Sequence, residues 1–209
     1  MKKKQYFCAL KQSNNDMISS QNNILLDLYA SQNTVFTMTQ IQLMYPTISP
    51  TALALRMNRC VRTGRLINLR KGIYAKPNYN PLELACSLYT PSYVSGEYIL
   101  QRAGVVFQYD SAITMISYLG RELEIDSNTI VYHKIKGEIM IQQQGLVQKG
   151  NVTMATPERA LLDMMYLNKN FYVDNAHILN KDLIAEILPI YNCKRLEQRV
   201  QKLLKDGFE

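Results

Sequence analysis

The sequence predicts an α+β protein, and three observations carry that expectation. Two helix start signals stand close together, at Thr37 and at Ser49. The hydrophobic period changes from helical to strand-like after Gly64. Beyond Pro81, helical and strand-like runs are mixed. The chain has 209 residues, which suits two small domains or one larger one, and its 47% hydrophobic content is enough for a real core. Pro77-Asn78-Tyr79-Asn80-Pro81 reads as the joint between them. The expected division is a polar arm over 1–21, a first domain over 22–80 and a second over 81–209.

In the first domain, Ile24-Leu25-Leu26-Asp27-Leu28-Tyr29 is apolar enough for a short buried helix, broken by Ser31-Gln32-Asn33. Thr37 with Gln40 three residues later is a capping box, and the helix it opens reaches about Tyr45, because Pro46 forbids continuation. Ser49-Pro50 then supplies an N-cap followed by Pro in the first helical position, where a missing N–H costs nothing. That helix should run to about Thr63, with Gly64 closing it. Placing its residues about 100° apart puts Leu53, Met57, Cys60 and Val61 on a core stripe. Thr51, Ala52, Leu55, Arg56, Arg59 and Arg62 face the other way. Leu66-Ile67-Asn68-Leu69, a turn at Arg70-Lys71-Gly72, and Ile73-Tyr74-Ala75 read as a hairpin with cations at its tip.

The charge pattern gives this arrangement a use. Between Leu28 and Leu82 there is no Asp or Glu, yet Arg56, Arg59, Arg62, Arg65, Arg70, Lys71 and Lys76 lie there; these seven charges equal the formal net charge of +7. Residues 77–209 hold 13 Lys and Arg against 15 Asp and Glu, so the excess is local. A local surplus points to a polyanion-binding face. Two helices joined by a turn, the second one basic, followed by a basic-tipped hairpin, read as a winged helix-turn-helix expected to bind double-stranded DNA; a solvated basic surface on an ordinary small hairpin domain is the other reading. Its expected DNA-contacting residues are Thr51, Arg56, Arg59, Arg62, Arg65, Arg70 and Lys71. The arginines suit guanine edges or phosphate. Leu55 either touches thymine methyls or packs on another part of the protein.

Three further motifs join the hairpin sequence Leu69-Arg70-Lys71-Gly72-Ile73-Tyr74-Ala75. They are the run from Pro91 to Leu100, Gly104, and Ala155-Thr156-Pro157-Glu158-Arg159-Ala160-Leu161-Leu162-Asp163. In this order and spacing, over most of residues 24–168, the chain resembles the AbiEi family. These are antitoxins of type IV toxin–antitoxin systems, also described as abortive-infection transcriptional regulators. The resemblance implies a winged helix that represses its own operon promoter and a C-terminal antitoxin domain. It also implies a nucleotidyltransferase-like toxin that the antitoxin opposes without a stable complex.

In the second domain, helices are expected over about Pro81–Tyr89, from Ser95 as N-cap to Gly104, from Thr156 through about Leu167, and over about Cys193–Lys205. Strands are expected at Ile113–Leu119, Thr129–His133 and Ile139–Gln142. Ala160, Leu161, Leu162, Met164, Met165 and Leu167 point in nearly every direction, so their helix should be buried on most sides. Arg159 and Asp163, four apart, read first as a structural ion pair. In the last helix, Leu196, Val200, Leu203 and Leu204 turn inward. Lys194, Arg195, Arg199, Lys202 and Lys205 turn outward; a solvated face is one reading, and secondary phosphate contact by Arg195, Arg199 and Lys202 is the other.

Catalytic readings find little support. Nowhere does Asp or Glu stand two residues before Lys, as a metal-dependent nuclease would commonly use them. His133 and His177 are far apart, and no HExxH motif, phosphate loop or dinucleotide turn is present. Neither an enzyme nor a metal or cofactor is expected. A phage-defence nuclease is the alternative, and a protein-interaction module with a basic surface is a third class. No run approaches the ~20 apolar residues needed to span a bilayer. The apolar run after Lys2-Lys3-Lys4 is too short for an export signal. Cys8, Cys60, Cys86 and Cys193 form no CxxC pair and read as reduced thiols. A cytoplasmic location is expected.

Overall fold

The computed structural model describes residues 24–206, so the expected polar arm and Cys8 lie outside the described residues. The protein is mixed α+β, and the chain divides into two compact units between Asn80 and Pro81.

The first unit opens with helix α1 over 24–30, which buries Ile24 and Leu28 and leaves Leu26 and Tyr29 exposed. Strand β1 (Val35–Thr37) follows and runs straight into α2 (Met38–Met44). Thr37 makes that junction: its Oγ1 accepts from Gln40 N at 3.2 Å, and Gln40 Oε1 accepts from Thr37 N at 2.8 Å. This satisfies two amides reciprocally at the helix start. Helix α3 (Pro50–Arg62) starts on Ser49, whose Oγ accepts from Ala52 N at 3.3 Å. It ends where Thr63 Oγ1 donates to Arg59 O at 3.0 Å and Gly64 adopts φ +68°, the left-handed turn that favours glycine.

Strands β2 (Ile67–Arg70) and β3 (Ile73–Ala75) form the hairpin. β3 is central in an antiparallel sheet of order β1-β3-β2, with Val35 and Ile67 both opposite Ala75. The register shifts between Asn68 and Arg70, a local irregularity at Leu69. The sequence reading did not include β1, three residues too short to show a period. The core joins Ile24, Leu28, Phe36, Ile41, Leu53, Met57, Cys60, Leu66 and Tyr74, with Val61 half-buried against it.

The second unit is built on a six-stranded mixed sheet, order β6-β7-β5-β4-β9-β8. Its strands are β4 (Ser92–Val94), β5 (Ile113–Ser117), β6 (Arg121–Ile125), β7 (Asn128–Lys134), β8 (Leu146–Lys149) and β9 (Val152–Ala155). The β4/β9 and β5/β7 pairs are parallel and the others antiparallel. The helices are α4 (Pro81–Leu88), α5 (Gly96–Arg102), α6 (Gly137–Met140), α7 (Pro157–Leu167), α8 (Lys181–Ile187) and α9 (Lys194–Asp206), with a 3₁₀ turn at Leu188–Tyr191.

Three local expectations need correction. Ile139–Gln142 is not a strand. Its first residues belong to α6, where Ile139 and Met140 N–H both donate to Lys136 O at 3.1 Å. Leu167 is exposed at the end of α7, although Ala160, Leu161, Leu162, Met164 and Met165 are buried. Ser95 stands at the N-cap position of α5 but makes no side-chain cap; its Oγ donates to Asp163 Oδ2 at 2.7 Å. A buried carboxylate is the stronger acceptor for that hydroxyl.

Asp163 is the centre of a closed polar cluster. Tyr191 OH donates to it at 2.6 Å and Tyr93 OH at 3.1 Å, and Arg159 Nε lies 3.4 Å from it. The Arg159 side chain is 0% exposed, and its other nitrogens donate to Gln144 O (3.0 Å), Ile139 O (2.9 Å) and Tyr93 OH (3.1 Å). Burial pushes the Asp163 carboxyl above its ordinary range, while Arg159 and the hydroxyls of Tyr191, Ser95 and Tyr93 pull it back. Gly145 must be glycine for the same packing: at φ +71°, a Cβ there would lie 2.6 Å from Ile187 Cδ1 and 2.8 Å from Arg159 Cβ. Replacing Arg159 with Ala leaves a buried carboxylate with no cation and frees two backbone carbonyls. Urea denaturation should show a loss of about 3–5 kcal/mol; a loss below about 1 kcal/mol would mean the cluster is not what holds this unit together.

Candidate nucleic-acid interface

The residues expected to contact DNA fall into two groups within the first unit, exposed at every position except Arg56. Leu53, Met57 and Cys60 anchor one side of α3 in the core, and this fixes what the opposite side presents. Thr51, Arg59 and Arg62 are exposed there. Leu55 is 70% exposed, so of its two expected roles, packing within the protein is not the one the described residues display. Arg56 differs from expectation: it is half-buried, because its position falls at the border of the core stripe. Arg65 is exposed just beyond Gly64, and its carbonyl is held by Tyr29 OH at 2.6 Å.

The second group is the hairpin tip. Arg70 and Lys71 are exposed on either side of the β2 end. The tip is braced: Gly72 O accepts from Met38 N at 2.8 Å, tying it to the first residue of α2. The acid at the border of the carboxylate-free segment, Asp27, is engaged by the Tyr45 hydroxyl. Burial first and then Asp27 hold that hydroxyl well above its ordinary pKa, so it stays a donor.

Lys76, counted among the seven local cations, serves the fold instead. Its Nζ donates to Ser31 O at 2.7 Å and to Tyr29 O at 3.4 Å, and lies within 6 Å of the Tyr29 and Phe36 rings, at 5.8 and 5.9 Å. A cation at these carbonyls neutralises the end of α1. Cys60, Cys86 and Cys193 are free thiols; burial raises Cys60, and it pushes Cys86 up to about 11. Neither is poised as a nucleophile.

In the second unit, Arg195, Arg199 and Lys202 line one open groove of about 870 Å³. Arg195 and Lys202 are exposed, while Arg199 is half-buried with Nε donating to Arg195 O at 3.1 Å. The helical spacing of α9 foretold this row. Lys169, after α7, lines the same groove, and no sequence signal marked it. Among the described residues no cluster of three His, Cys, Asp or Glu side chains is arranged to hold a metal ion, and no helix is long and apolar enough to cross a membrane.

Comparison with protein-family models and with curated proteins finds no match for this chain. The residues themselves therefore carry the functional argument.

The two roles of the local cations can be separated. Replacing Lys76 with Ala should lower the stability of the first unit by about 1–2 kcal/mol, since charged hydrogen bonds to carbonyls are lost. The salt slope of any nucleic-acid binding should not change. A thermal melt read beside a salt titration checks both; a flattened slope would return Lys76 to the binding surface.

Proposed function

We propose that the first unit is a winged helix-turn-helix that binds double-stranded DNA, with α3 entering the major groove and the β2–β3 tip meeting phosphate or the minor groove. One observation carries the reading. The side of α3 left free by its core anchors presents Thr51, Arg59 and Arg62 within a segment that has no carboxylate from Leu28 to Leu82. A cationic, acid-free face on a helix fits a polyanion with a readable groove. Arg65, Arg70 and Lys71 supply the phosphate contacts that fix the register, and half-buried Arg56 contributes along its edge. This role needs no cofactor and no catalysis.

The resemblance to AbiEi antitoxins extends the proposal. On that basis the protein is a cytoplasmic repressor of its own operon promoter and an antitoxin, and it opposes a nucleotidyltransferase-like toxin without forming a stable complex with it. The groove of Arg195, Arg199, Lys202 and Lys169 supports a secondary phosphate contact by the second unit.

Binding to the upstream DNA of its own gene, followed by fluorescence anisotropy, tests the first part. Arg59→Ala should cost about 1–3 kcal/mol and relax sequence preference. Loss of both Arg70 and Lys71 should weaken specific and non-specific sites alike and flatten the slope of log K against log salt by about 2, at about 0.9 per phosphate contact. Unchanged operator affinity in the Arg59 and Arg62 alanine variants would remove α3 as the recognition helix.

The antitoxin part has its own readout. Co-expressing the full chain with the product of a neighbouring nucleotidyltransferase-like gene should restore growth, and affinity purification of either should not bring down the other. Growth that stays arrested would leave a DNA-binding protein without antitoxin action.

A further inference from the structure

A second concave site lies in the C-terminal unit, and its chemistry is the reverse of the DNA-facing one. It is a cleft of about 370 Å³ whose lining includes Glu97, Asp110, Asp174, Phe107, Phe171 and Tyr172, together with four carboxamide side chains. No Lys, Arg or His is among the described residues that line it. Phe107 is 70% and Tyr172 75% exposed, which is unusual for rings with no covering element.

The walls are braced before anything binds. Asp174 N and Asn175 N both donate to the carbonyl of buried Val105, at 3.0 and 3.1 Å, and Phe107 N donates to Asp174 Oδ2 at 2.8 Å. Asp110 Oδ1 accepts from Ala112 N at 2.9 Å, which fixes the loop that carries Phe107. The exposed rings therefore stand on a fixed frame, and binding need not order them first.

Three kinds of lining group point to one kind of occupant. Carboxylates with no cation among the described lining residues focus a negative potential into the cleft, and aromatic faces add to the attraction for a cation. A guanidinium matches both, since its edge donates to carboxylates while its planar face lies on a ring. The carboxamides offer donors as well as acceptors. A free polyamine offers only donors, whereas a peptide backbone offers the carboxamides both donors and acceptors. We propose that this cleft binds an arginine-bearing segment of a partner protein, an interaction independent of DNA binding by the first unit.

A labelled peptide of alternating arginine and leucine, titrated with the full chain and followed by anisotropy, tests the proposal. Saturable binding is expected at physiological salt. Tyr172→Ala, and separately Glu97→Gln combined with Asp110→Asn, should each weaken it at least about tenfold, with circular dichroism unchanged. Both carboxamide substitutions keep an acceptor oxygen, so the Asp110 turn survives. Lys149→Ala, at an exposed position outside the cleft, should bind the peptide as the parent does. Equal binding of a peptide with citrulline in place of arginine would overturn the proposal, as would parental affinity in both cleft variants. Complete displacement of the peptide by spermidine would also overturn it, making the site one for free polyamines.

Discussion

The Asp163 carboxylate and the four side chains that surround it tie helix α7 to β4, to the start of α5 and to the 3₁₀ turn. A buried carboxylate is tolerated only when its lone pairs and its charge are both answered. Here one answer is local, Arg159 one turn back on α7, and the others come from distant parts of the chain: Tyr93 in the middle of β4, Ser95 at the start of α5, and Tyr191 on the 3₁₀ turn. Arg159 then reaches outward to the carbonyls of Ile139 and Gln144. Three separated stretches of chain, 93–95, 139–144 and Tyr191, are thereby held to one helix. The apolar core around them could pack in more than one way; the directional bonds select one.

The same cluster explains details that otherwise look unrelated. Ser95 gives up its capping role because Asp163 claims its hydroxyl. α6 forms where a strand was expected because Ile139 must turn its carbonyl toward Arg159. Gly145 has no room for a side chain because Arg159 and Ile187 pack against it. None of these residues faces the two concave surfaces of this unit. Asn168, which caps the end of helix α7, lines both the basic groove and the acidic cleft.

The first unit depends on smaller and more local forces. Two side-chain caps start its helices, and the core stripe of α3 decides which arginines reach solvent. β3 is buried along its full length and joins β1 to β2. Because β1 leads directly into α2, the sheet also fixes the hairpin tip against the helix start. Exposed charge on braced elements is what a DNA-reading surface requires, since mobile cations would lose entropy on each contact.

The sequence by itself determined the features that depend on neighbours a few residues away. The capping box at Thr37, the Ser49-Pro50 start, the Gly64 stop, the hairpin turn, the core stripe of α3 and the inward faces of α7 and α9 all follow from short-range hydrogen bonding and helical period. The confined positive charge was equally legible, and with it Thr51, Arg59, Arg62, Arg65, Arg70 and Lys71 as exposed candidates. Only the tertiary structure decided the rest. Strands β1 and β4, and the β8–β9 pair, are three or four residues each and owe their existence to partners elsewhere in the sheet. Lys76 and Arg56 carry the same charge as their neighbours, yet the carbonyls at the end of α1 and the border of the core leave each of them only half-exposed. Lys169 joined the α9 cations, and Phe107 and Tyr172 came to line one cleft, through loop positions that no periodicity encodes. Long-range contacts are made by residues whose local sequence is indifferent to them, and that indifference is why they had to be seen.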